Sequence, residues 1–315
     1  MKLKQVENWL DNLGPGERDH ALDHLVGLTS RQADKLSKQH EINMMIDYQD
    51  EIEERQRNWN KPVGLKTELQ TLDKFTMGLA PGELTVIGGA TSQGKTLLAC
   101  NITSRVAAAG SNVLFVTLEM THAELGSRIQ RISGSNADDI SVHVAFQKSD
   151  ELDWQSIDGL IANAVKQFGA ELVVIDHLHY FTRELQNVSE DLGRITKEFK
   201  KNAIRHGIPI MLISHTRKGD SKQLSTIDDL RGSSYIAQDA DIVLMVGQKQ
   251  DTQDVLFVTV EKNRNRFGVR IGSPEATCML TMDHNTLRLE DPLDGPFPGG
   301  ISAQQIFPDF VPNLI

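Results

Sequence analysis

Beyond Lys61-Pro62 the chain alternates short apolar runs with helical patterns. Leu84–Ile87, Val113–Leu118, Leu172–Ile175, Ile210–Ile213, Ile242–Val246 and Val255–Val260 are short, apolar, mostly β-branched and flanked by turn or helix signals, which predicts six strands. Continuous apolar strands spaced by helices predict an α/β fold, a predominantly parallel twisted sheet flanked by helices. The segment before it, from Val6 to about Asn58, is polar and mostly helical in pattern, with a turn at Pro15-Gly16 and a short apolar face of Leu22, Leu25, Val26 and Leu28. Ile42, Met45, Ile46 and Tyr48 recur at near-helical spacing ahead of the charged run Asp50–Arg55. They predict an amphipathic helix that lies either on its own domain or on another subunit.

From about Glu290 the pattern changes again. Pro292, Gly295, Pro296, Pro298, Gly299, Gly300, Pro308 and Pro312 predict a flexible tail, and Phe297, Phe307 and Phe310 among acidic residues read as a partner-binding motif or an inert end. The expected division is a helical segment and linker over 1–60, an α/β domain over 61–289 and a tail over 290–315.

Charge narrows the function classes. With 33 Lys+Arg against 43 Asp+Glu in 315 residues the net charge is −10, which excludes a uniformly basic protein that coats nucleic acid. With 39% hydrophobic and 24% charged residues the composition is globular. No run approaches the ~18 apolar residues of a membrane span. Met1–Glu7 lacks the apolar block of a signal peptide, so a cytoplasmic protein is expected. Cys100 and Cys278 are too few and too far apart for a disulfide framework or a zinc site, and core packing is expected of both.

The strongest chemical signal is Gly89-Ala90-Thr91-Ser92-Gln93-Gly94-Lys95-Thr96, a G-x-x-x-x-G-K-[ST] loop between an apolar strand and a helical run that opens at Leu97. Backbone N–H groups of such a loop and of the helix start face phosphate oxygens. Lys95 adds positive charge near the β and γ phosphates, and the Thr96 hydroxyl can ligate Mg²⁺. Gly89 to Leu97 are therefore the candidate nucleotide contacts, for ATP or another nucleoside triphosphate. Two strands end in carboxylates, Asp176 as a second magnesium anchor and Glu119 as the group that polarises the attacking water. A third delivers Ser214 and His215, and His215 is the candidate reporter of the γ-phosphate.

In this order the motifs resemble the RecA-type core of hexameric replicative helicases, the bacterial DnaB family and the helicase half of phage primase-helicases. The resemblance covers about Leu72 to Leu289 and is carried by Leu72–Leu79, Pro81-Gly82-Glu83-Leu84, the phosphate loop, Leu118-Glu119-Met120, Val174-Ile175-Asp176-His177-Leu178, Ile213-Ser214-His215, Asp229–Ser234 with Gln238–Asp241, and Glu261–Gly268. His215 sides with the phage type, since DnaB-like members usually carry Gln there. About 60 residues precede the core, where family members have larger amino-terminal modules, and Ile42–Asn58 is the candidate for the family's subunit linker.

The resemblance implies a RecA-like ATPase that moves 5′ to 3′ on single-stranded DNA and unwinds fork DNA as a homo-hexamer, in the cytoplasm (a bacterial host's if phage-encoded). It implies Lys262 and Arg264 as groups reaching a neighbouring subunit's nucleotide, with Arg266 a second candidate for the arginine finger. Arg183, Arg217, Lys218 and Lys222 on loops, with Arg231, Gly232 and Ser233, are the implied DNA contacts. A primase, a helicase loader or a DNA polymerase, the last through the tail, are the implied partners, and a membrane is not. A recombinase-like DNA-dependent ATPase and a nucleotide-gated replication adaptor are the alternatives.

Overall fold

The computed structural model describes residues 64–134, 140–146, 154–178, 188–216, 225–230, 233–248, 254–264 and 276–291, all within one compact unit, Pro62–Ile315. The expected linker helix Ile42–Asn58 and the tail beyond Asp291 lie outside the described residues.

Nine strands form one sheet: β1 Leu84–Gly89, β2 Val113–Thr117, β3 Val142–Phe146, β4 Leu172–Asp176, β5 Ile210–His215, β6 Ile242–Gly247, β7 Val255–Asn263, β8 Thr277–Met282 and β9 Leu289–Glu290. Their order is β3-β2-β4-β5-β1-β6-β7-β8-β9. From β3 to β6 all neighbours are parallel, and β7, β8 and β9 extend the sheet antiparallel. Between the strands lie α1 Gln70–Thr76, α2 Lys95–Ala108, α3 His122–Ser133, α4 Trp154–Phe168, α5 Val188–His206 and α6 Ser233–Asp239.

The expected α/β architecture with a mainly parallel sheet is present, and the continuous apolar runs have a direct explanation. Successive side chains of a strand point to opposite faces, and here both faces are covered. Val113, Phe115, Leu172, Val174, Met211 and Ile213 pack with Leu98, Ile102 and Val106 of α2 and Leu125, Ile129 and Ile132 of α3. Their alternates Leu114, Val116, Val173, Ile175, Ile210 and Leu212 pack with Ile157 and Ile161 of α4 and Leu192, Ile195 and Phe199 of α5. Each fully buried large apolar side chain contributes about 1.5–3 kcal/mol relative to exposure. Cys100 and Cys278 are both buried in the first of these two layers, as expected.

The tail starts later than the sequence pattern indicates. Leu289–Glu290 is β9, and buried Asp291 accepts hydrogen bonds from the Thr71 amide at 2.6 Å and the Thr71 hydroxyl at 2.7 Å, fastening this end to α1. Among the described residues no helix is long and apolar enough to cross a membrane.

Candidate active site

Strand order assembles the site. β1, β5, β4 and β2 are consecutive neighbours and parallel, so the segments leaving their carboxyl ends stand in a row, where open α/β sheets bind ligands. The phosphate loop leaves β1 after Gly89. Gly89 is in register with His215 of β5, and Thr117 of β2 is in register with Asp176 of β4. Lys95, Thr96, Glu119, Asp176 and His215 therefore come to one edge from four strands, as the sequence motifs require.

Local chemistry fixes each position. Gly94 has φ +89°, a left-handed conformation, and a Cβ there would stand 2.5 Å from Leu256 Cδ1, so the turn into α2 needs glycine on two counts. Gln93 Oε1 accepts from the Gln248 amide at 2.6 Å, tying the loop to the end of β6. Glu119 lies between two anchors. The Thr117 hydroxyl donates to Met120 O at 2.9 Å and accepts from the Met120 amide at 3.1 Å. Thr121 and Glu124 then form a capping box that starts α3. The carboxylate of Glu119 is thereby held on a short turn, and its side chain remains about half exposed.

Thr96 Oγ1 donates to Asp176 Oδ2 at 2.8 Å. Asp176 is 1% exposed, and burial pushes its carboxyl up to about 6, with Glu119 adding to the rise and Thr96, Lys95 and Arg128 opposing it. Burial pulls Lys95 down to about 8, against the attraction of Asp176 and Glu119, while its Nζ donates to Ala90 O at 2.7 Å. The donor set fits Mg²⁺, which takes hard oxygen ligands. Thr96 Oγ1 and Asp176 offer such oxygens, and Asp176 Oδ1 is buried without a hydrogen-bond partner among the described residues.

Lys262 and Arg264 stand elsewhere. The Asp241 amide bonds to Leu84 O at the start of β1, and the Arg264 amide bonds to Asp241 O. Both basic residues thus flank the amino edge of the parallel strands, about 17 Å from the phosphate loop at ~3.3 Å per residue along β1. Lys262 Nζ donates to Ala240 O, and burial lowers its pKa, with the positive charge of Arg264 adding to the fall. Arg264 pairs with Asp241 Oδ1 at 3.4 Å and donates to Gln238 O.

Arg183, Arg217, Lys218, Lys222, Arg231, Gly232 and Arg266 lie outside the described residues, and Ser233 is described only as the first residue of α6. The ends of one of these loops are nevertheless fixed. Thr216 and Leu230 form an isolated antiparallel bridge, and the Thr216 amide donates to Gly89 O at 3.2 Å.

Three residues near the site have no motif role in the sequence. His177 follows Asp176 directly and faces Glu119, Nε2 to Oε2 at 3.8 Å; its adjacency to a strand-end carboxylate was the available signal. Arg128 acts on Asp176 through its charge, and Lys200 holds Asp241 at 2.6 Å. Both positions depend on how helices dock, which no local pattern encodes.

Fold and site define a RecA-like phosphate-loop ATPase core. A family model described as an AAA domain matches residues 49–221, more than half of the chain, and the chain belongs to that family. The replicative DNA helicase DnaB of Treponema pallidum (strain Nichols) is 28% identical over 255 residues, covering 70% of this chain and 56% of the relative. The chain spans about half the length of the curated relatives it matches. Among solved structures, an ATPase domain determined on its own superposes with a TM-score of 0.65 at 18% identity over 79% of this chain and 97% of that one. A DnaB-like replicative helicase, described with its interactions with primase, gives 0.63 at 17% over 79% and 66%. The resemblance to DnaB-like helicases read from the motifs is borne out, and so is the RecA-like fold.

Proposed function

We propose that the chain is the motor of a replicative DNA helicase that hydrolyses ATP between subunits of a hexameric ring and moves 5′ to 3′ on single-stranded DNA. One observation carries the reading: a hydrolytic set at the carboxyl edge of the sheet and a Lys262-Arg264 pair at the amino edge, too far to serve the same nucleotide. Two edges of one sheet that each hold half of the machinery fit subunits joined head to tail, an arrangement that closes into a ring. Similarity to proteins named replicative DNA helicases supports the same reading.

Lys95 and the loop amides bind the phosphates, and Glu119 orients and polarises the attacking water. Mg²⁺, held by Thr96 and Asp176, neutralises charge developing on the phosphates. Arg264 stabilises the transferring phosphoryl group of the adjacent subunit, beside Lys262. His215 contacts the γ-phosphate, and Thr216, bonded to Gly89 and bridged to Leu230, passes its loss to the loop carrying Arg217, Lys218 and Lys222. That loop, with Arg183, Arg231, Gly232 and Ser233, contacts DNA phosphates without reading sequence. Residues 61–291 form the motor domain, residues 1–60 supply the subunit linker, and the tail after Asp291 recruits a partner such as a primase, loader or polymerase.

The test measures hydrolysis with and without single-stranded DNA, together with molar mass by light scattering, for wild type and Arg264→Ala. DNA-stimulated hydrolysis in a ring-sized particle, lost in Arg264→Ala while the particle persists, is the expected result. A monomer whose weak hydrolysis ignores both DNA and Arg264→Ala would overturn it. Strand exchange without fork unwinding would assign the core to a recombinase instead.

A further inference from the structure

Glu119, His177 and His215 come from the ends of three neighbouring strands, and each offers a ligand atom lying within 4.8 Å of the other two. His177 Nε2 and Glu119 Oε2 are 3.8 Å apart. The two imidazole rings meet edge to face, with centroids 4.3 Å apart and planes at 85°. Imidazole binds metals through lone pairs in the ring plane, so rings set at right angles direct nitrogens to one point more readily than stacked rings do. His177 is buried and His215 half-buried, both on strand ends, whereas the Glu119 carboxylate is free to turn.

We propose that Glu119, His177 and His215 form a binding site for a late first-row divalent cation, Zn²⁺ in class, and that its occupancy arrests hydrolysis by withdrawing Glu119 from the attacking water. Metal binding stands on the three side chains alone, and the arrest rests on the hydrolytic role proposed for Glu119. Bonds of about 2.0–2.1 Å in a tetrahedral site place ligand atoms ~3.3 Å apart. The cluster therefore needs to contract by ~1.5 Å at most, which side-chain rotation supplies. Two imidazoles and one carboxylate suit Zn²⁺, Co²⁺ or Ni²⁺, while Mg²⁺ prefers oxygens and keeps its waters. Thr96 with Asp176 and the Glu-His-His cluster thus select different ions at adjoining positions. Three protein ligands leave a fourth place for water or a phosphate oxygen. Cys100 and Cys278, the usual rivals for Zn²⁺, are buried away from solvent.

The experiment titrates the full chain, free of nucleotide, with Zn²⁺ by calorimetry and with Co²⁺ by its visible absorption. Hydrolysis supported by Mg²⁺ is then followed over the same Zn²⁺ range. One saturable equivalent is expected, weakened at least about tenfold in both His177→Ala and His177→Asn, with half-inhibition moving upward in step. Two variants are used so that a folding defect in one, seen by circular dichroism, does not decide the result. Binding that is absent, or equally tight in the folded variants, overturns the site. Binding without inhibition, or with faster hydrolysis, overturns the arrest. Absence of hydrolysis in Zn²⁺-free buffer with Mg²⁺ and DNA would instead count against the motor reading and leave the calorimetric result standing.

Discussion

Arg264 rests on a carboxylate that does not need it. Asp241 is almost wholly buried, and its Oδ2 accepts from the Leu84 amide at 2.8 Å and from Lys200 Nζ at 2.6 Å, while Arg264 approaches Oδ1 at 3.4 Å from a position about half exposed. Removing the only partner of a buried charge costs about 3–5 kcal/mol. Here two partners remain when the arginine leaves, so Arg264 can be transferred to a neighbour's phosphate without stranding Asp241.

The expected behaviour of Arg264→Ala follows from this. Stability changes by under ~1 kcal/mol, as for other exposed pairs, and nucleotide affinity of the isolated subunit is retained. Hydrolysis falls about a thousandfold, the scale of a lost arginine finger. Mixing Arg264→Ala with Lys95→Ala restores part of the rate, because some interfaces then combine an intact loop with an intact arginine. A mixture no more active than its components would show that both residues serve one nucleotide in one chain.

The pH dependence of hydrolysis is set by two buried groups. Asp176, raised to about 6, must be ionised to hold the metal, and Lys95, lowered to about 8, must be protonated to hold phosphate. In kcat/KM, which reports the free enzyme, the rate therefore rises through about 6 and falls above about 8. Stability runs the other way. Between the unfolded carboxyl value near 3.8 and about 6 the native state binds more protons, so stability falls as pH rises. Between about 8 and the unfolded lysine value of 10.5 the unfolded state binds more, so stability rises with pH. A kcat/KM profile flat from pH 5 to 9 would contradict both assignments.

The contrast between what was legible in the sequence and what was not follows burial. β1, β2, β4, β5, β6 and β7 are continuous apolar runs because helices, or neighbouring strands with their own cover, bury both faces. β3, β8 and β9 left no such trace. β3 lies on one rim and carries His143, stacked on Phe168 with centroids 3.5 Å apart. β9, two residues long, is the other rim, and β8 beside it contributes only threonines as β-branched residues. In the site, residues on the loop and at strand ends were legible because motif and strand order coincide. The separation of Arg264 from Lys95 was not, since it arises from the antiparallel pairing of β7 with β6.

Buried thiols give an inexpensive check on the core. Burial pushes the Cys100 thiol up to about 12 and Cys278 well above its ordinary value. The thiolate is the reactive form, so neither cysteine is expected to react with a disulfide reagent in the native protein, and both should react once denaturant unfolds it. Prompt labelling of Cys278 under native conditions would mean that β7, β8 and their cover open locally, contrary to the packing described.

The coupling of chemistry to DNA is testable at His215. This residue is in register with Gly89, Thr216 donates to Gly89 O, and Thr216 pairs with Leu230, so both ends of the basic loop are fastened to the strand that carries the phosphates. Gly88 sharpens the contact. A Cβ there would stand 2.5 Å from Leu230 Cδ2 and 2.6 Å from Met245 Sδ, so the Leu230 side chain already lies against the β1 backbone. A small displacement of β1 must then move Leu230 or be resisted by it, because close-packed interiors transmit strain rather than absorb it. His215→Ala is accordingly expected to keep nucleotide binding within about threefold (~0.65 kcal/mol). It should lose most of the stimulation of hydrolysis by single-stranded DNA and unwind fewer base pairs for each ATP consumed. The decisive quantity is the ratio of unwinding to hydrolysis. If His215→Ala lowers both rates by the same factor, His215 serves the chemical step alone, and the coupling must run through another strand end.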